Sequence, residues 1–76
     1  MEFQITMIPL HDQSKKISVP VRYNTTIIQL KYHELISDPE MDADHMLIYN
    51  QYHQPLSDKM PMRGSATFFY KYKRYD

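Results

Sequence analysis

The chain has 76 residues, room for one domain, 1–76, with one core, and a chain this short buries only about 60% of the surface its unfolded form exposes. Hydrophobic content of 42% and charged content of 24% are those of an ordinary globular domain and exclude a disordered one. Nine Lys plus Arg balance nine Asp plus Glu, so no whole-molecule field draws in nucleic acid, and the lack of cysteine excludes disulfides, thiolate metal sites and a thiol nucleophile.

No apolar run reaches the roughly 18 residues of a spanning helix, and Met1-Glu2-Phe3-Gln4 lacks the basic and apolar regions of a secretory leader. The chain reads as soluble, and the missing cysteines fit a reducing compartment, cytoplasmic or nuclear.

Glu2 to Pro9 alternates, with Phe3, Ile5 and Met7 on one side and Glu2, Gln4 and Thr6 on the other, which predicts a half-buried first strand. Leu10 to Ser14 turns the chain, and Ile17, Val19 and Val21 then alternate with Ser18, Pro20 and Arg22 to complete a hairpin. Pro20 has no N–H for a ladder, so this second strand belongs at a sheet edge with that position facing solvent. From Thr26 the period changes. Thr26 and Gln29 have capping-box spacing, and a helix is expected to about Ser37, stopped before Pro39. Ile27, Ile28, Leu30 and Leu35 can face the sheet, with Glu34 interrupting that face, while Ile28, Tyr32 and Ile36 form a second stripe.

Met46-Leu47-Ile48-Tyr49 reads as a short strand, and Asn50 to Lys59 as loop with room for one more. Gly64, the only glycine, is expected to supply a positive φ before Thr67-Phe68-Phe69-Tyr70-Lys71-Tyr72, a β-branched and aromatic strand. The order strand, strand, helix, strand, possible strand, strand is that of an α+β roll, a mixed sheet of four to five strands on one helix.

Little in the chain is chemically reactive. The histidines His11, His33, His45 and His53 have no second ligand at helical metal spacing, and Asp42-x-Asp44-His45 lacks the glycine and distal glutamate of a calcium loop. Ser57-Asp58 has no nucleophile-elbow context, and one glycine cannot build a phosphate cradle. No metal, no cofactor and no catalysis are expected. Tyr70 to Tyr75 mixes aromatics with cations, a pattern that could bind RNA or an anionic membrane. Alternation sends Phe68, Tyr70 and Tyr72 to one face and Phe69, Lys71 and Lys73 to the other, which favours packed aromatics with wet cations over nucleic-acid binding.

This pattern resembles the ubiquitin-like, β-grasp family. Thr26-Ile27-Ile28-Gln29-Leu30-Lys31 resembles the family's helix start, and is especially similar to that of the ubiquitin-like domain of parkin. Leu47-Ile48-Tyr49 resembles its Leu-Ile-Phe strand, Leu56-Ser57-Asp58 its Leu-Ser-Asp, and Gly64-Ser65-Ala66-Thr67 its turn into the last strand. The likeness covers nearly the whole chain, although 49–64 is shorter than the family's usual stretch. Members that are attached to targets end in Gly-Gly, whereas this sequence reads Arg74-Tyr75-Asp76, so the resemblance implies a non-conjugated type.

The family's sheet carries an apolar docking patch around an isoleucine. The resemblance places Ile48 at that isoleucine, Met46 at a preceding basic position, Phe69 at a histidine of the last strand and Lys71 at an outward valine. Ile8 or Leu10 stands for the leucine of the first turn, and Lys73 lies at the rim. The implied role is a non-catalytic module that binds protein partners through the sheet and is monomeric alone. A structural subunit using the Ile28, Tyr32 and Ile36 stripe is a third reading.

Overall fold

The computed structural model describes residues 1–33, 35–36 and 43–73. Glu34, Ser37, Pro39, Asp42 and Arg74-Tyr75-Asp76, all used above, lie outside the described residues. Four strands form one sheet: β1 (Glu2–Pro9), β2 (Ile17–Arg22), β3 (Met46–Tyr49) and β4 (Ala66–Tyr72), in the order β2-β1-β4-β3. β1 pairs antiparallel with β2 and parallel with β4, and β4 pairs antiparallel with β3. A parallel pair needs a long crossover, and the intervening chain with the helix α1 (Ile27–Lys31) supplies it.

Alternation along β1 turns Ile5, Met7 and Pro9 inward, and β2 contributes Val19 and Val21 to the same side. Ile27 and Leu30 of the helix meet them together with Ile36, Met46, Ile48, Met62 and Phe68, which forms the core on one face of the sheet. Leu30 is 1% exposed; truncating such a side chain to alanine typically costs about 2–5 kcal/mol. Pro20 is exposed on β2, the outermost strand, as its missing donor requires. Among the described residues no helix is long and apolar enough to cross a membrane.

The helix is shorter than its periodicity predicts. It ends at Lys31 with Tyr32 as its cap, and the following turns close through i→i+3 bonds, His33 N–H to Leu30 O and Ile36 N–H to His33 O, both 3.0 Å. The His33 Nδ1 also accepts the Leu35 N–H at 3.2 Å. Tightening the backbone moves Ile36 into the core and leaves Leu35 53% exposed, the reverse of the helical wheel. The Ile28, Tyr32 and Ile36 stripe is therefore divided: Ile36 is buried, while Tyr32 is 65% exposed.

A five-residue helix is marginal by itself, and loop 56–62 holds it. Ile27 N–H donates to Met60 O and Ile28 N–H to Asp58 O, both at 3.0 Å, while the Gln29 side chain accepts the Thr26 N–H at 2.9 Å. Lys31, buried at the last helical position, pairs with Asp58 across 2.6 Å.

One local expectation fails and one alternative is decided, each for an identifiable reason. Gly64 does not have a positive φ; among the described residues the left-handed positions are Asn24 (71°) and His53 (63°), and Asn tolerates that region through its short polar side chain. Of the four to five strands left open, four form among the described residues, and Asn50 to Lys59 is loop. Isolated bridges, Tyr49 to Pro55 and Thr26 to Pro61, take the place of a fifth, because proline supplies no donor to extend either ladder.

Candidate protein-docking face

The sheet surface opposite the helix divides in two. On the β1–β2 half the outward positions other than Pro20 are polar: Glu2 stands beside Arg22, and the Ser18 hydroxyl donates to Gln4 Oε1 at 2.9 Å. On the β4–β3 half the ladder aligns Ile8, Phe69 and Tyr49 across three strands, with Leu47 beside Lys71 in the next outward row. Lys73 lies just past the end of β4 and is exposed. Ile8, Leu47, Tyr49, Phe69 and Lys71 are half-buried, so each keeps side-chain surface available. Leu10 is also half-buried, and its N–H donates to Tyr70 O at 2.9 Å, which holds the first turn against β4.

A loop residue completes this half. The His53 ring lies on Phe69, centroids 4.7 Å apart and planes tilted by 30°. Asn50 fixes the loop that presents it: Oδ1 accepts the N–H groups of Tyr52 (2.8 Å) and Gln54 (3.0 Å), and Nδ2 donates to Gln54 Oε1 (3.0 Å). Its main chain adds bonds from His53 N–H to Asn50 O and from Asn50 N–H to Gln54 O, each 2.9 Å. Those bonds hold His53 at its left-handed φ, a conformation with a cost for a non-glycine residue. Tyr52, 74% exposed, stands in the same turn.

Met46 and Ile48 do not belong to this face. They are 1% and 2% exposed and sit in the core. The register explains the reversal: Ile48 lies opposite Tyr70, and Tyr49 lies opposite Phe69. Matching Ile48 to the family's central isoleucine is one residue out of step with the ladder, and a one-residue slip moves every side chain to the other face. Tyr49 holds the position assigned to Ile48, and Leu47 the one assigned to Met46. Ile8, Phe69 and Lys71 stand on the outer face, while Leu10 and Lys73 lie just past the ends of β1 and β4. Leu47 and Tyr49 were missed because all four residues of β3 are large and apolar, so period two cannot choose a face. The β4 alternation was the available signal, since Met46 and Ile48 pair with Tyr72 and Tyr70 on the side of buried Phe68.

Those aromatics are committed to packing. Tyr70 and Tyr72 meet edge to face at 6.4 Å, and the Tyr72 hydroxyl donates to Ile36 O at 3.1 Å. Burial pushes the Tyr70 phenol above its ordinary pKa. Stacking by Tyr70 or Tyr72 on nucleic-acid bases would require undoing this packing. Among the described residues no group of three or more His, Asp or Glu is gathered as a metal site.

A lone helix packed on a mixed sheet, with first and last strands parallel at its centre, defines the ubiquitin-like β-grasp fold, and the chain has it. The solved structure of a Caldiarchaeum subterraneum ubiquitin superposes with a TM-score of 0.73 at 12% identity, covering 92% of this chain and 91% of that one. The solution structure of a ubiquitin-like domain from an Arabidopsis thaliana protein gives 0.68 at 18% identity, covering 95% and 78%. No family model and no curated protein matches the sequence. At these identities the likeness is one of fold, and the similarity to parkin's domain rests on Thr26 to Lys31 alone.

Proposed function

We propose that the chain is one non-catalytic, non-conjugated interaction domain that docks a protein partner on the β4–β3 half of its outer sheet face. The contact surface consists of Ile8, Leu47, Tyr49 and Phe69 with His53, bordered by Leu10, Lys71 and Lys73. The observation that carries this reading is the apolar row Ile8–Phe69–Tyr49 crossing three strands on the face away from the core. Completing the burial of such side chains contributes a fraction of the about 1.5–3 kcal/mol that full burial of each would give.

Charge selects the partner's chemistry. None of the outward strand positions on this half is Asp or Glu, and the exposed Lys73 lies just past the end of β4. The complementary partner is a protein segment with apolar side chains flanked by carboxylates, since complementary charge guides encounter and orientation.

The test is a chemical-shift titration with a synthetic amphipathic helix carrying leucines along one stripe and glutamates beside it. Saturable shifts at Ile8, Leu47, Tyr49 and Phe69, abolished by Phe69→Asp in a folded protein, support the reading. Shifts confined to the β1–β2 half or the helix, or binding untouched by Phe69→Asp, contradict it.

A further inference from the structure

An exposed sheet edge is a template for another strand unless something blocks it. On β2 the phase of the ladder is set by Tyr23 N–H donating to Met1 O at 3.2 Å, which makes Met1 and Tyr23 a hydrogen-bonded pair. Such pairs alternate in an antiparallel ladder. Val21, Val19 and Ile17 therefore direct their main-chain groups toward β1, and Ser18, Pro20 and Arg22 direct theirs to the free edge. The middle one of these three has no N–H.

Beside that position a groove of about 320 Å³ separates the edge strand from the helix, lined in part by Val21, Leu30, Gln29 and His33. An added strand would find side-chain space there. The opposite edge is defended differently: β3 has only four residues, Ile48 O already accepts the Leu56 N–H at 2.9 Å, and Asn50 N–H is taken by Gln54 O.

We propose that Pro20 closes the β2 edge to pairing with a second copy of this chain. Two-fold antiparallel pairing centred on residue 20 would need a reciprocal pair of bonds, each from one copy's residue-20 N–H to the other copy's carbonyl. Proline removes both donors at once, so the most symmetric dimer loses its central bonds. Ser18 and Arg22 keep their donors and would lie opposite one another in that register, but they only flank the central gap. The inference is independent of what docks on the outer face.

Pro20→Val restores the donor with a strand-favouring side chain, and Pro20→Thr does so with a more polar one. Analytical ultracentrifugation from micromolar to millimolar concentration, with amide exchange read at Ser18 and Arg22, tests both. The wild-type chain is expected to stay monomeric with concentration-independent exchange at these amides. At least one folded variant is expected to dimerise and to slow exchange there by about tenfold, since paired edge amides exchange through opening. Folded variants as monomeric as wild type, with Ser18 and Arg22 exchanging at the wild-type rate, overturn the proposal. Protection of those amides that rises with concentration in the wild-type chain overturns it too, whether or not either variant folds.

Discussion

Ile48 and Tyr49 are adjacent on one four-residue strand, both bulky and apolar, yet one is 2% exposed in the core and the other stands on the outer face opposite Phe69. Their chemistry alone does not separate them. The ladder does: pairing with Tyr70 assigns Ile48 to the face that the helix covers, and pairing with Phe69 assigns Tyr49 to the face it leaves open. An apolar patch therefore has to be located by register before it can be argued from composition.

The largest expected effect breaks that contrast directly. Ile48→Asp puts an unpaired carboxylate into the core, with an expected loss above about 4 kcal/mol, enough to unfold a domain of ordinary stability. Tyr49→Asp should stay within about 1 kcal/mol of wild type and remain folded. Thermal melts followed by circular dichroism compare the two, and equal destabilisation would erase the distinction between the faces.

Lys31 is the one buried charged residue among those described, so it sharpens the comparison from the core side. Asp58→Ala strands its ammonium. Because Asp58 is 49% exposed and water can partly replace it, the expected loss is about 1–3 kcal/mol, below that for a fully buried pair. Lys31→Met, which removes the charge and keeps the volume, should melt within a few degrees of wild type. A loss from Lys31→Met as large as that from Asp58→Ala would refute this account of the pair.

On the outer face, Asn50→Ala removes the acceptor that holds the loop under His53, with an expected cost of about 1 kcal/mol. Its distinguishing sign is a change in the ring-current shifts of Phe69, and unchanged shifts would mean that the main chain alone holds the loop. Gly64→Ala should be smaller still. Gly64 has no positive φ, and an added methyl would meet nothing within 4 Å, so the expected change is neutral to a gain of about 0.5 kcal/mol. A marked loss would restore the special backbone role that its sequence suggests.

How much of this was legible follows from how far each signal reaches. The hairpin, the edge position of Pro20 and the β4 strand were legible because alternation and a missing donor act locally. The capping region marked the start of the helix, but its end was not legible, since Tyr32, His33 and Ile36 follow tertiary contacts and i→i+3 bonds rather than a 3.6 period. Ile8, Phe69 and Lys71 could be oriented from alternation, whereas Leu10 and Lys73 lie past the strand ends, where alternation gives no direction. Met46 and Ile48 could not, because a uniformly apolar strand is equally consistent with either register. His53 was invisible as a site residue: its place on Phe69 depends on a loop conformation fixed by Asn50.

The β1–β2 turn adds a small acid response. The Ser14 hydroxyl donates to Asp12 Oδ1 at 2.6 Å and holds that carboxyl below its ordinary value of 3.8. A depressed folded-state value means stability that is present above the unfolded value and lost as pH falls through the folded one. Asp12→Asn should remove this part of the acid sensitivity, melting slightly below wild type at neutral pH and together with it at low pH; a wild-type pH dependence retained in the variant would refute the assignment.

The register of β3 against β4 is most directly measured by cross-strand Hα–Hα nuclear Overhauser contacts. Leu56 N–H donating to Ile48 O from the free edge makes Ile48 and Tyr70 a non-hydrogen-bonded pair, in which the two Cα atoms approach to about 4.5 Å. A strong contact between the Hα atoms of Ile48 and Tyr70, with the Ile48 methyls inside the core, is the predicted result. Ile48 opposite Phe69, with its methyls against that ring and open to solvent, would contradict it and put the docking face one residue away.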